Sequence, residues 1–345
     1  MTYQDVVNAN QTLQINSPTW WRSYAFHFTD VQNAVSILDS GYLYSRFDAK
    51  KMRLMKTENA STQVIKMTNP EVYSFVRFYF RPKTPTQYHN EGYKHIKLRY
   101  DGHPNANVPV PIFFLFDLVK LLDMPKTKFS GTALSGKTIT SYKGSPEEFS
   151  QLPFERIYSN GPMNDPSEVK NRHAEIVYPE KLEIQSCLQF LFCRNAVERD
   201  TLLNLLREKN PRAYQTYVGK IYVESRHDEL FYNNGLFISN CHWFDGELYI
   251  ELADTNARKK YIINKNVSNL EPVEFRGEFS WYKKDDLILQ QSTYFPLDYM
   301  NPQNVKFKLG DKFKENGAVI LKTKIFFDDK LVCYSTHSLH ESEML

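Results

Sequence analysis

The first clear pattern of apolar and polar positions begins at Ser23–Phe28, a short strand that ends in the polar turn Thr29-Asp30. Val31, Ala34, Val35, Ile37 and Leu38 then recur at helical spacing, with Asp30 placed to cap the helix and Gly41 following as a glycine past its end. Tyr42-Leu43-Tyr44 predicts another short strand, and Lys50 to Pro70, polar and irregular, predicts a long loop of the kind that carries function. Val72 to Phe80 is dense in β-formers and stops at Pro82. The following Pro82-Lys83-Thr84-Pro85 cannot be a central strand, because each proline lacks a donor. Ile112–Leu122 predicts a buried strand and helix, Phe129–Tyr142 a loop, and Glu147–Tyr158 a helix. Glu175–Val177 and Leu188–Phe192 predict strands, and Ala196–Lys209 a helix with Val197, Leu202, Leu205 and Leu206 on one face.

After Pro211 the texture changes. Trp243 to Tyr249, with Asp245-Gly246 between β-formers, is a hairpin signal. Alternating runs follow at Val273–Tyr282, Val305–Leu309, Val319–Phe327 and Leu331–Tyr334, separated by turn residues. This predicts a small antiparallel β-sandwich behind an α+β domain. The boundary is expected near residues 210–220, dividing the chain into 1–212 and 213–345, without internal repeat.

Composition adds limits. Four cysteines (Cys187, Cys193, Cys241, Cys333) form no CxxC pair and no metal-ligand spacing, so reduced thiols and no metal are expected. Met1–Asn16 lacks an apolar signal core, and the greasiest stretch, Val108–Leu122, carries Asp117 and Lys120. A soluble, cytoplasmic protein without membrane contact is the expectation. The net charge of +3 conceals an asymmetry: residues 1–210 carry +5 and residues 211–345 carry −2. Within Arg46–Arg99, 12 basic residues face 4 acidic ones, which is either a solvated basic face or an electrostatic footprint for nucleic acid.

Three segments could carry chemistry. His27 and Thr29 point the same way if the strand continues, so an imidazole and a hydroxyl could hold the two hydroxyls of a ribose. A hydrogen-bonded structural histidine fits the residues as well. Phe75 to Pro85 sets alternating aromatics before a rigid Pro-x-x-Pro turn, a wall that could stack a nicotinamide ring or simply fill a core. Its Arg77, Arg81 and Lys83 suit phosphate contacts. Glu175 lies in the apolar strand Ala174-Glu175-Ile176-Val177, where a carboxylate needs either an arginine partner or a site to face. One placed carboxylate can stabilise the oxocarbenium-like cation formed when a nicotinamide–ribose bond breaks, and can accept the nucleophile's proton.

In this order the segments resemble the DarT family of ADP-ribosyltransferases, bacterial toxins that modify single-stranded DNA bases. The matching features are His27-x-Thr29, the helix Asn33–Leu38, Gly41-x-Leu43-x-Ser45-Arg46, Val76-x-Phe78-Tyr79-Phe80-x-Pro82-Lys83-Thr84-Pro85 and Ala174-Glu175, with weaker echoes at Phe129-Ser130-Gly131 and Leu152-Pro153-Phe154. They cover about residues 22–210 and leave the β domain outside. The resemblance implies a split-sheet α+β fold and NAD⁺ as co-substrate, held by His27, Phe28, Thr29, Asn33, Gly41, Leu43, Ser45, Tyr79 and Phe80. It implies catalysis by Glu175 with an arginine after Arg46. Lys50-Lys51-Met52-Arg53 departs from the family's paired arginines there, so Arg53 is the first choice and Arg77 the reserve. Arg46, Lys50, Lys51, Arg81 and Lys83 would contact nucleic acid.

The expected function is transfer of ADP-ribose to bases of single-stranded DNA or RNA, as a toxin in a toxin–antitoxin or anti-phage system. The implied partner is a neutralising antitoxin, for instance of macrodomain type. A transferase acting on a protein recruited by the C-terminal domain is the alternative. A non-enzymatic nucleotide-binding module is disfavoured by His27, Thr29 and Glu175 occurring together. RNA 2′-phosphotransfer lacks its arginine-rich motifs.

Overall fold

The computed structural model describes residues 1–58, 66, 68–100, 105–134, 142–161, 165–225, 229–309 and 317–339. A seven-stranded sheet holds the N-terminal region. Its strands are β1 (Tyr24–Asp30), β3 (Phe75–Tyr79), β4 (Pro111–Asp117), β5 (Lys128–Ser130), β6 (Glu175–Pro179), β8 (Leu188–Cys193) and β9 (Ile221–Val223), in the order β5-β6-β3-β1-β4-β8-β9. β2 (Tyr42–Tyr44) and β7 (Lys181–Glu183) pair separately. All pairs are antiparallel except β8 with β9. β4 is buried over Pro111–Phe116, which is why it reads as one apolar run.

Local signals account for the helices. An N-terminal helix, α1 (Tyr3–Gln11), is closed by a capping box between Thr2 and Asp5. α2 (Val31–Ser40) starts where Asp30 accepts from the Gln32 amide and stops at Gly41, whose φ of 74° is the left-handed conformation glycine adopts without penalty. The expected loop from Lys50 begins inside a helix, because Ser45 caps α3 (Arg46–Lys51) by accepting from the Asp48 amide. Residues 59–65 and 67 of that loop lie outside the described residues; past it, Pro70–Ser74 is a 3₁₀ turn, so the strand expected from Val72 begins at Phe75. The predicted helix Glu147–Tyr158 is two short ones, Pro146–Ser150 and Phe154–Tyr158, since Pro153 cannot continue the first.

The C-terminal region is a sandwich of two antiparallel sheets. β10 (Ile238–Phe244), β11 (Glu247–Leu252) and β14 (Val305–Lys308) form one; β12 (Val273–Lys283), β13 (Asp286–Leu297), β15 (Ile320–Phe327) and β16 (Lys330–Ser338) form the other, ordered β13-β12-β15-β16. Their inner faces share a core around Leu248, Ile250, Phe275, Phe279, Trp281 and Leu321. The β10–β11 turn has Asp245 and Gly246 at φ 46° and 76°, as a two-residue hairpin turn requires. The helix Asn256–Asn264 and strand β13 carry no earlier expectation.

The junction lies farther along the chain than the expected 210–220. Ile221–Val223 adds a parallel strand to the first sheet, and Leu230 and Phe231 still pack in the first core; Leu236 is already in the second. The second core also takes Tyr93, Leu98 and Val197 from the N-terminal region. Tyr93 and Leu236 exchange backbone hydrogen bonds of 3.0 and 2.8 Å. Gly92 and Gly235 cross there so closely that a Cβ on Gly235 would sit 2.7 Å from the Glu91 carbonyl oxygen. No helix among the described residues is long and apolar enough to cross a membrane.

Candidate active site

A gap in the sheet creates the site. β1 and β3 share one registered pair, Phe26 with Tyr79, so the ladder is not continued where His27–Thr29 passes Phe75–Arg77. A cleft of about 250 Å³ opens there, lined by His27, Phe28, Thr29, Phe75, Arg77 and Tyr79 from the two strands. Asn33 and Leu43 close one side, Arg46 and the 54–58 segment another, and Thr84, Thr86 and Gln87 a third. That volume is close to the roughly 300 Å³ at which small-molecule sites begin.

The carbonyl of Arg77, left without a ladder partner by the gap, faces His27 Nδ1 at 3.1 Å. The proton must therefore sit on Nδ1, which donates, leaving Nε2 as the ring's acceptor. Burial pulls the His27 pKa down from 6.5 to about 4, partly offset by that hydrogen bond, so the ring is neutral at physiological pH. A neutral imidazole with a fixed acceptor nitrogen beside the buried Thr29 is suited to receive hydroxyl protons from a ribose.

Glu175 stands at the start of β6, opposite Tyr79 in register and diagonal to Arg77, which pairs with Val177. Its side chain is 1% exposed. Arg77 grips it with both prongs, Nε to Oε2 at 2.5 Å and Nη2 to Oε1 at 2.6 Å, and the Leu134 amide donates to Oε1 at 3.2 Å. Burial tends to lower the Arg77 pKa, but the adjoining carboxylate raises it well above the ordinary arginine range. The phenol of Tyr79 is pushed up to about 12 by burial and by the Glu175 charge, so it stays protonated. Arg77 itself is 28% exposed at the cleft floor. The guanidinium thus lies between the carboxylate and the cleft.

The remaining sequence candidates separate. Asn33 holds the cleft wall, donating to Thr57 O at 2.9 Å and accepting from the Lys56 and Thr57 amides. Leu43 lines the cleft, whereas Gly41 and Ser45 shape it from outside: the Gly41 carbonyl accepts from Ile184, and Ser45 is the α3 cap. Phe80 is fully buried and stacks on Phe149 at 6.0 Å, a core residue and no cleft wall. Arg46 pairs with Glu58 and lies over Tyr73, and Lys50 reaches Glu58 at 3.0 Å. Lys51 is exposed. Arg53, at φ 58° just past α3, is also exposed and does not line the cleft, so the arginine beside Glu175 is Arg77.

Arg81 departs from expectation as well. Arg81 does not present a surface to nucleic acid: it is 1% exposed, bonds the carbonyls of Pro82, Ile157 and Ser159, and lies over Trp21. Alternation along Phe75–Tyr79 ends at Phe80, and the chain turns Arg81 inward. Lys83, at φ 57°, is half-buried with its ammonium 5.6 Å from the Tyr232 ring centroid. Thr86, Gln87 and the Leu134 amide carry no expectation from sequence; for Leu134 the reason is that a main-chain donor in a loop has no residue signature. Among the described residues no group of three or more His, Cys, Asp or Glu is placed to hold a metal.

A family profile described as "ssDNA thymidine ADP-ribosyltransferase, DarT" matches residues 26–226. Solved structures similar to the chain include Thermus sp. 2.9 DarT in complex with ADP-ribosylated ssDNA, at 16% identity, TM-score 0.47, covering 61% of this chain and 96% of that one. The same protein in complex with carba-NAD⁺ matches at 16% identity and TM-score 0.43 over 55% and 91% of the two chains. Thermosipho africanus DarTG in complex with ADP-ribose matches at 10% identity and TM-score 0.42, over 55% and 50%. No curated protein sequence matches the chain.

Proposed function

The chain belongs to the DarT family of ADP-ribosyltransferases, and we propose that it transfers ADP-ribose from NAD⁺ to a thymine base of single-stranded DNA with Glu175 as its catalytic carboxylate. The observation that carries this reading is the buried Glu175–Arg77 pair beneath a cleft whose walls hold a neutral His27, Thr29 and the protonated Tyr79. His27 Nε2 and the Thr29 hydroxyl take ribose hydroxyls, and Tyr79 with Phe75 supplies flat surface for the nicotinamide end. Arg77 is placed to release Glu175 toward the reacting carbon by exchanging its carboxylate for a phosphate of the dinucleotide. Glu175 then stabilises positive charge as the glycosidic bond's electron pair leaves with nicotinamide, and accepts the proton of the attacking base. Arg77 replaces Arg53 as the working arginine in this proposal, and Arg46, Lys50, Lys51 and Lys83 remain the candidates for backbone contacts.

Base modification of a template strand harms the cell that makes the enzyme. A toxin role with a neutralising partner that removes the modification follows from that chemistry, and an anti-phage use of the same damage is consistent with it. RNA and a protein recruited by the sandwich are competing acceptors. Labelled NAD⁺ offered with separate single-stranded DNA, duplex DNA, RNA and protein pools decides among them. Label on thymine-containing single strands is the expected result, and label on protein alone sinks the DNA reading.

A further inference from the structure

The sandwich contains a second cluster of reactive groups, remote from the cleft. Cys333, Ser335 and His337 alternate along β16 and so point the same way, toward Cys241 on β10, the edge strand of the other sheet. Cys241 Sγ lies 3.3 Å from Ser335 Oγ and 3.9 Å from His337 Nε2, and Ser335 Oγ is 2.8 Å from the same nitrogen. Cys333 lies two residues before Ser335 on the same face of β16, the face that packs on β10 around Cys241. Cys333 is fully buried, whereas Cys241 and His337 are half-buried and reachable from solvent. Asp200, on the helix Ala196–Lys209 that packs on β16, is a further charge acting on Cys333 and on His337, and it pairs with Arg199 at 3.8 Å.

We propose that Cys241 and Cys333 are a redox-active thiol pair that a hydroperoxide converts to a disulfide joining the two sheets. The Cys241 thiolate attacks the peroxide, its sulfur displacing hydroxide or alkoxide to become a sulfenic acid. The Cys333 thiol then attacks that sulfur, the S–O bond breaks, water leaves, and two cysteines have been oxidised for one peroxide reduced. The half-buried member is the attacking one and the fully buried member the resolving one. The local electrostatics support this order. A hydrogen bond from Cys333 holds Cys241 below the ordinary thiol range against the effect of burial, with His337 and Ser335 adding; Cys333 is raised by the same contact and by burial. Cys187 and Cys193 are buried, with thiols pushed up by burial, and serve as internal controls.

The test is hydrogen peroxide treatment of the intact folded chain, followed by alkylation under denaturing conditions and peptide mass mapping. A Cys241–Cys333 cross-link with Cys187 and Cys193 still alkylatable is the expected result. The Cys333→Ser variant should accumulate a dimedone-reactive sulfenic acid at Cys241. His337→Gln should slow peroxide oxidation of Cys241 at neutral pH by about tenfold and move its pH profile upward, since less of the thiol is ionised. The proposal is overturned if Cys241 oxidises no faster than Cys187, or if it reaches the sulfonic acid in the parent protein while Cys333 stays reduced.

Discussion

Replacing Glu175 by glutamine separates catalysis from packing, because the two consequences have different sizes and readouts. The carboxylate receives three N–H bonds, two from Arg77 and one from the Leu134 amide. Glutamine keeps one oxygen for this set and turns an NH₂ toward the other guanidinium prong. Removing one partner of a fully buried pair costs about 3–5 kcal/mol, but the orphaned Arg77 is 28% exposed and water can reach it, so about 2–3 kcal/mol is expected. That corresponds to a fall in Tm of roughly 4–10 °C, readable by differential scanning fluorimetry. The converse variant, Arg77→Met, strands a carboxylate that is only 1% exposed, so it should cost more, about 3–5 kcal/mol. Transfer of label from NAD⁺ to a thymidine oligonucleotide should drop at least 100-fold in Glu175→Gln, at a temperature where the variant is folded, since a lost transition-state charge contact is worth roughly 3–4 kcal/mol. A folded Glu175→Gln enzyme within tenfold of the parent rate would falsify the catalytic assignment. If Arg77→Met is the milder lesion, the burial argument is wrong.

Other outcomes follow from the same physics. His27 falls from 6.5 to about 4 in the fold, so the unfolded chain binds the extra proton first and stability is lost as pH drops from 6.5 toward 4; Asp30, raised by burial from 3.8 to about 6, loses stability as pH rises through the same window. Each is worth about 3 kcal/mol, so His27→Gln and Asp30→Asn should change the parent's pH slope in opposite directions in denaturant titrations between pH 4 and 6.5. Two changes of the same sign count against this. Arg81→Met leaves several buried carbonyls unpaired and should destabilise by about 3–5 kcal/mol with single-strand affinity of the folded protein unchanged; a selective loss of affinity restores Arg81 to the nucleic-acid surface. Phe47, 60% exposed on α3 among Lys50, Lys51 and Arg53, is placed to stack an unpaired base. Phe47→Ala should weaken single-strand binding by about 1–3 kcal/mol in fluorescence anisotropy without changing its salt slope, and an unchanged Kd removes it from the interface.

Much of the architecture was legible because local chemistry and tertiary environment agree. Asp30, the apolar periodicity of Val31–Leu38 and Gly41 fix α2 at both ends, and the alternation from Val273 onward has one face packed and one wetted, which writes period two into the sequence. β13 was invisible for the converse reason: it is an edge strand whose outward residues include Leu287, Ile288 and Tyr294, so its alternation carries no contrast. The junction was misjudged because Pro211 and the helix it opens, Pro211–Tyr217, look like a break while the chain still has one strand to add to the first sheet.

The site divides along the same line. The face that a strand residue takes was legible, because alternation fixes it; that Glu175 meets Tyr79 across β3–β6, with Arg77 diagonal, is a long-range pairing that the fold supplies. Residues in loops could not be located, since their contacts depend on where distant main chain happens to pass. Sequence makes Arg53 the first choice and Arg77 the reserve, and the pairing of β3 with β6, which brings together Arg77 and Glu175 from 98 residues apart, reverses that order. Arg81 failed for a related reason: a cation reads as a surface residue unless the carbonyls that will surround it are known, and those belong to residues 157–160. Sequence singles out Glu175 but leaves its partner arginine open, and that partner is the residue on which the proposed mechanism turns. On the proposed function, Arg77 occupies the carboxylate through both prongs until a ligand phosphate competes for the guanidinium, which would make NAD⁺ binding and exposure of Glu175 one event.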